Sequence, residues 1–313
     1  MKIAVMYDYK NWVVDRMSNV IIKHAPKDVK FTKFSVDIKL DEFLKMSNKA
    51  DLIYSSYWQP FFRAESSFND LPVHKILFTV HHLMPVTDLE YDASTPKILN
   101  VKHINYYSRN TQEYLCKMGF SGNMYKLNQY VDNERFKDIG PKDLERNLVF
   151  GSFGAMKRPR KAYWVLAKVI EQCQDMEYIG TRDLKYKHSR IHAYGAVTDN
   201  ELMDLFKMIN VYVSPSKVEG GPMGVLEAMA CGIPVVVTNT GFAGDIVKNG
   251  VNGFIIPFDN PTALIGILYW IKDNWEEAKT IGENGRRTAR KYSPEKFSEQ
   301  YIKLFRKIVE INK

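Results

Sequence analysis

Apolar and polar positions alternate in two rhythms along this chain. Short runs of β-branched and aromatic residues, bounded by polar or glycine-bearing turns, read as buried strands, and stretches with apolar residues at helical spacing lie between them. In the first half the pattern predicts strands over Lys2–Tyr7, Asp51–Ser56, Lys75–Val80 and Ile104–Ser108, with helices over Asp41–Ala50 and Thr111–Met118. In the second half it predicts strands over Asn147–Ser152, Glu177–Ile179, Val211–Ser214, Pro234–Thr238 and Gly253–Ile256, with helices over Lys161–Cys173, Asp199–Met208 and Pro222–Ala230. Short buried strands alternating with helical stretches imply parallel α/β architecture. The rhythm restarts after the polar stretch Asp138–Arg146, which carries Gly140 and Pro141. The expected organisation is therefore a first Rossmann-like domain over 1–140, a linker over 141–146 and a second Rossmann-like domain over 147–290, followed by a terminal helix over 291–313.

Composition adds constraints to this picture. A chain of 313 residues with 45% hydrophobic and 26% charged residues has the mixture of a globular protein and the length for two domains. No apolar run approaches the roughly 20 residues that span a bilayer, and the apolar run at the N-terminus is too short for a signal peptide. Cys116, Cys173 and Cys231 are scattered and odd in number, as expected of reduced thiols in a cytoplasmic protein. The net charge of +8 favours polyanionic partners: nucleotide phosphates, an anionic membrane surface met peripherally, or nucleic acid. Three basic clusters stand out, at Lys157–Lys161, Arg182–Arg190 and Arg286–Lys291. The last two also read as solvated helix ends and loops, whereas the first sits where a phosphate site is expected.

The segment from Val211 to Asp245, VYVSPSKVEGGPMGVLEAMACGIPVVVTNTGFAGD, carries the most chemistry. A buried strand runs into a loop bearing Glu219, then into Gly220, Gly221, Pro222, Met223, Gly224 and Val225. Proline suits the first turn of a helix, because its missing N–H would be unpaired there. Glycines let backbone amides approach a ligand, and a helix start favours an anion or an electron-rich hydroxyl. Glu227 follows about one turn into the helix, and Gly232 and Pro234 end it. Taken singly, Glu219 also reads as a surface loop residue and Glu227 as a cap on a backbone donor.

The complete arrangement resembles the donor-binding signature of retaining GT-B glycosyltransferases of family 4, whose hallmark is two glutamates with seven residues between them. Here the hallmark is matched by Glu219-GGPMGVL-Glu227, the continuation EAMACGIPVVVTNTGFAGDIV resembles the family's Glu-Ala-Met-Ala run, and Gly253–Pro257 resembles the next strand. Gly195-Ala196-Val197 is similar to the family's base-side loop. Phe78–Leu83 resembles the strand that ends in a catalytic-site histidine, which points to His81. The resemblance implies two Rossmann-like domains facing a central cleft. It implies that Glu219 contacts sugar hydroxyls, that Glu227 holds the ribose, and that Val197 lies beside the base. It also implies a nucleotide diphosphate-sugar as co-substrate, UDP-sugars being favoured, retention at the anomeric carbon, and no cofactor or essential metal. No Asp-x-Asp site is present in the sequence, and His188 and His192 lack nearby further ligands.

Two departures from the family stand out. Relatives hold the diphosphate with an Arg and a Lys after the first strand of the second domain. Here Lys161 keeps the second position, while the first falls on Ala155, so Lys157 or Arg158 is expected to substitute. A Gly-Gly pair usual after the first strand is replaced by Asp8-Tyr9-Lys10-Asn11-Trp12, aromatics that either shape an acceptor entrance or pack. The expectation is a retaining, metal-independent, hexosyltransferase-like enzyme that transfers to a hydroxyl of a glycan, a lipid-linked or another acceptor. Its catalytic residues are expected to be His81, Glu219 and Lys161. Three other readings stand beside it: a non-catalytic sugar-nucleotide-binding or scaffold protein, a sugar-nucleotide epimerase, and a glycosyltransferase acting on modified nucleic acid.

Overall fold

A computed structural model describes residues 1–7, 13–35, 37–56, 72–81, 95–137, 139–154, 158–181 and 187–313. These residues form two compact units. The first comprises Met1–Gln129 with Pro294–Lys313, and the second Tyr130–Ser293.

In the first unit, six strands form one parallel sheet: β1 (Lys2–Tyr7), β2 (Lys30–Ser35), β3 (Leu52–Ser55), β4 (Ile76–Val80), β5 (His103–Tyr106) and β6 (Asn123–Lys126), in spatial order β2-β1-β3-β4-β5-β6. The interior strands β3, β4 and β5 are buried at every position, as a parallel sheet covered on both faces requires. Helices α1 (Val13–Lys23), α2 (Leu40–Ser47) and α3 (Arg109–Lys117) connect them. Ser108 caps α3 by accepting from the Thr111 amide at 3.2 Å.

The second unit repeats the plan. Strands β7 (Leu148–Ser152), β8 (Met176–Thr181), β9 (Ile191–Tyr194), β10 (Val211–Ser214), β11 (Val235–Thr238) and β12 (Phe254–Ile256) lie in the order β12-β11-β10-β7-β8-β9, again all parallel. Helices α4 (Tyr163–Gln172), α5 (Asp199–Lys207), α6 (Met223–Ala230), α7 (Gly241–Ile246), α8 (Pro261–Asp273) and α9 (Trp275–Ala289) complete it. The last helix, α10 (Pro294–Ile311), belongs to the first unit, where Phe297, Tyr301 and Phe305 are fully buried.

The expected elements are present, with ends that differ by no more than three residues. Three strands, β2, β6 and β9, have no counterpart in the expectation. They are sheet edges, and their burial patterns are largely exposed. An edge strand need not bury both faces, so it leaves no apolar run to read. The segment 130–146 lies within the second unit. The Val131 amide donates to Tyr292 O at 2.9 Å, Gly140 to Cys231 O at 2.8 Å and Lys142 to Ile209 O at 2.9 Å. Arg135 pairs with Asp199 at 2.6 Å, and the Phe136 ring stands edge-on to Phe206.

Candidate functional site

Reading the second sheet as β9-β8-β7-β10-β11-β12 shows how the chain builds it. The chain starts in the middle at β7, works outward to β9, then crosses to β10 on the other side. The loops leaving β7 and β10 therefore diverge, and the crevice at such a switch point is where open parallel sheets place phosphate-bearing ligands. The loop after β7 brings Arg160 and Lys161 there, and the loop after β10 brings Glu219. Lys161 Nζ donates to Glu219 Oε1, and Arg160 Nη1 stands 3.4 Å from Oε2. Arg160 also donates to Val218 O at 3.0 Å, while its own carbonyl accepts from the Lys217 amide at 2.7 Å. The two loops are thus joined through both backbone and side chains.

Local backbone explains how Lys161 reaches the carboxylate. The expected helix start at Lys161 is not observed. Pro159–Lys161 forms a single 3₁₀ turn, Ala162 adopts a left-handed conformation (φ 51°), and α4 begins only at Tyr163. A left-handed alanine costs about 1–2 kcal/mol. Ala162 is fully buried in the core cluster of this unit, which holds it in place.

Glu219 is 7% exposed. Burial pushes its carboxyl pKa up. The charges of Lys161 and Arg160, with hydrogen bonds from Lys161 and Ser216, override that and hold it at about 2. A third loop fixes its backbone. The Glu219 amide lies 3.4 Å from Thr240 Oγ1, and the Phe242 amide donates to Gly220 O at 2.8 Å. Gly241 between them has φ 59°, and a Cβ there would stand 2.7 Å from Glu219 Cβ. Only glycine fits that position without displacing the carboxylate.

Helix α6 follows directly. Pro222 stands at its N-cap and offers no side-chain cap, and the Val225 amide bonds back to Pro222 O at 3.0 Å. Its C-terminus closes in a Schellman motif: Gly232 (φ 76°) donates to Met229 O and Ile233 to Ala228 O, each at 3.0 Å. Gly224 has a packing reason of its own, since a Cβ on it would collide with the Tyr212 hydroxyl. That hydroxyl lies 3.4 Å from both the amide and the carbonyl of Phe153, so strand β10 joins the start of α6 to the loop after β7. Glu227 is half-buried. Burial first, with the Glu227 charge adding, holds the Tyr212 phenol and the Cys231 thiol above their ordinary pKa values.

In the first unit, His81 follows β4 and is half-buried. Its Nε2 stands 2.9 Å from Ser56 O. A carbonyl can only accept, so the neutral ring carries its proton on Nε2 and leaves Nδ1 as an acceptor. Burial lowers its pKa from 6.5 to about 4, partly offset by the Ser56 bond, so the ring is neutral at physiological pH.

Residues 181–288 match the family described as glycosyl transferases group 1. The chain is 26% identical over 306 residues to an uncharacterized glycosyltransferase of Methanocaldococcus jannaschii, spanning 92% of this chain and 85% of that protein. It is 23% identical over 158 residues to the N,N'-diacetylbacillosaminyl-diphospho-undecaprenol alpha-1,3-N-acetylgalactosaminyltransferase of Campylobacter jejuni, covering 48% of this chain and 42% of that one. Among solved structures, Anabaena HepE in complex with UDP-glucose superposes with a TM-score of 0.76 at 17% identity, covering 97% of this chain and 99% of that one. Sucrose-phosphate synthase of Thermosynechococcus elongatus gives 0.75 at 16%, covering 99% of each chain. The fold is GT-B.

Within the second unit, Glu219, Gly220 and Lys161 meet as one cluster, with Pro222, Met223 and Gly224 at the helix start beside it. Val225 is turned into the core at 1% exposure, and its amide is engaged by Pro222. Gly221 and Val197 are partly buried, the latter just before the Thr198–Glu201 capping box of α5. Arg158 is exposed, and Lys157 lies outside the described residues, as do Ala155, His82 and Asp8–Trp12. The cation that joins Lys161 at Glu219 is Arg160, which the sequence reading left unassigned. Its position next to Lys161 in the basic cluster was the available signal.

Proposed function

We propose that this protein transfers a sugar from a nucleotide diphosphate-sugar, a UDP-sugar above others, to an acceptor hydroxyl of a glycan or lipid-linked saccharide, with retention and without a metal ion. The observation that carries the reading is the Lys161–Glu219–Arg160 cluster at the β7/β10 switch point, beside the start of α6, whose N-cap Pro222 offers no side-chain cap. Lys161 and the α6 amides supply positive potential for the leaving diphosphate, where charge grows in the transition state. Glu219 accepts hydrogen bonds from sugar hydroxyls, and its buried ion pairs keep it ionised for that task. Glu227, about two turns along the chain, takes the ribose, Val197 faces the base, and His81 supplies a neutral imidazole acceptor. HepE, solved in complex with UDP-glucose, and the Campylobacter jejuni relative, named for an undecaprenol-linked acceptor, support this choice of donor and acceptor class.

A panel of UDP-, GDP- and ADP-sugars, scored by thermal shift and by release of the nucleoside diphosphate, tests the reading. We expect one nucleotide class to raise Tm and to be turned over equally with and without EDTA. Lys161→Ala and Glu219→Ala should each lower turnover by at least about a hundredfold. Full activity in both variants, or isomerised donor with no released diphosphate, would overturn the proposal.

A further inference from the structure

Behind His81, the core of the first unit holds a polar network that none of the expected site residues accounts for. Ser56, whose carbonyl accepts the hydrogen bond from His81 Nε2, turns its hydroxyl inward to donate to Tyr54 Oη at 2.6 Å. Tyr54 Oη lies 3.2 Å from Thr79 Oγ1, which donates to Asn105 Oδ1 at 2.9 Å. Asn105 Nδ2 donates to Tyr301 Oη at 3.0 Å, and Tyr301 Oη lies 2.5 Å from Tyr107 Oη. The Tyr107 ring returns to the start, packing on the His81 imidazole with centroids 5.5 Å apart. Ser56, Thr79, Asn105 and all three tyrosines are fully buried.

One assignment of protons satisfies every member of this circuit. Ser56 donates to Tyr54, Tyr54 to Thr79, and Thr79 to Asn105. Tyr301 accepts from Asn105 and Tyr107 and donates to Thr79, 3.5 Å away. Buried networks of this kind specify one arrangement when complete and become costly when one member is removed. Removing the Tyr301 hydroxyl takes the acceptor from Asn105 Nδ2 and one of three polar partners from the Tyr107 hydroxyl, which keeps Thr79 and Asn105 within reach. The remaining hydroxyls can then recover bonds only by rotating, and the two that adjoin His81 are Ser56 and Tyr107.

We propose that Tyr301, on the last helix of the chain, is a positioning residue for His81: through Asn105, Thr79 and Tyr54 to Ser56 on one side, and through Tyr107 on the other, it fixes the ring's orientation and its Nε2–H tautomer. The inference rests on the reading of His81 as a site residue only for its effect on turnover, and its effect on the ring stands independently. Nδ1 is the nitrogen left for a substrate hydroxyl, so a ring that flips or changes tautomer presents a donor where an acceptor is needed.

The test compares the wild type with Tyr301→Phe and Tyr107→Phe, each of which keeps the aromatic ring and deletes one hydroxyl. Nitrogen-15 NMR of the imidazole reads the tautomer directly, far-UV and near-UV circular dichroism report folding, and steady-state kinetics report turnover. In the wild type, His81 should show a single Nε2–H tautomer. In folded Tyr301→Phe, the signal should split or shift towards the Nδ1–H form, with kcat lowered about tenfold and the donor KM within about twofold. A folded Tyr301→Phe protein with an unchanged His81 tautomer overturns the proposal. If that variant does not fold, the same readouts on Tyr107→Phe decide it. A wild type that turns over no donor removes the functional reading and leaves the NMR result to judge the positioning role.

Discussion

At the scale of single residues, the decisive interaction is the ion pair of Glu219 with Lys161. Breaking a buried pair by removing one partner leaves an uncompensated charge and costs about 3–5 kcal/mol. Glu219→Gln should therefore destabilise the protein by an amount that Lys161→Met in the same chain partly recovers. A double-mutant cycle by urea denaturation should show a coupling of about 1–3 kcal/mol. The carboxyl is held at about 2 in the folded protein against 4.5 ordinarily, so its contribution is complete above 4.5 and lost as the pH falls through about 2. His81, held at about 4 against 6.5, likewise favours the folded state above 6.5 and loses that advantage as the pH falls through about 4. Denaturation midpoints across pH should show the upper slope flattened in His81→Gln and the lower slope flattened in Glu219→Gln. An unchanged profile in either variant would contradict the assigned ionisation. Glu219 and Glu227 stand out in the sequence because their spacing is local, and Lys161 because it closes the basic cluster that follows a buried strand. Arg160 does not, because its distinction from Arg158 depends on a 3₁₀ turn that ends in a left-handed alanine.

At the scale of elements, the start of α6 is set by what lies beneath it. Gly224 stands over the Tyr212 hydroxyl and Gly241 over Glu219, so the two glycines let a helix and a turn close onto the carboxylate loop. Gly224→Ala should cost about 1–3 kcal/mol as the helix start is displaced. Donor affinity should fall with it. Adding Tyr212→Phe should recover part of the stability, because it deletes the oxygen in the way. If the double variant is no more stable than Gly224→Ala alone by thermal unfolding, the collision is not the cause. Glycine at 224 was read from sequence as an opening for ligand. The structure adds a packing demand from a strand residue twelve positions earlier, which no local pattern reveals.

At the scale of the whole chain, the first unit is assembled from two separated pieces. Phe297, Tyr301, Phe305 and Ile308 of α10 fill the core under β3, β4 and β5, and Ser298 bonds to Ile21 O at 2.8 Å in α1. Deleting residues 294–313 should therefore expose that core and abolish cooperative unfolding of the first unit. A fragment of residues 130–293, whose core cluster is self-contained, should still fold. Circular dichroism melts of the truncated chain and the fragment decide the matter: a cooperative transition of the first unit in the truncated chain would show that α10 is dispensable.

The sequence by itself determined the parallel α/β class, the buried strands, the placement of the glutamates around a glycine-rich helix start, and the resemblance to GT-B glycosyltransferases. All of these rest on short-range periodicity and spacing, which survive without knowledge of contacts. Tertiary structure alone decided the rest. It placed the exposed edge strands, because pairing, not burial, defines them. It assigned the segment 130–146 to the second unit, because backbone bonds reaching residues 209, 231 and 292 outweigh the polar look of a linker. It chose Arg160 as the partner of Lys161 at Glu219. It also gathered Tyr54, Tyr107 and Tyr301 behind His81, across nearly two hundred and fifty positions, because hydroxyls taken out of water must find one another in the interior.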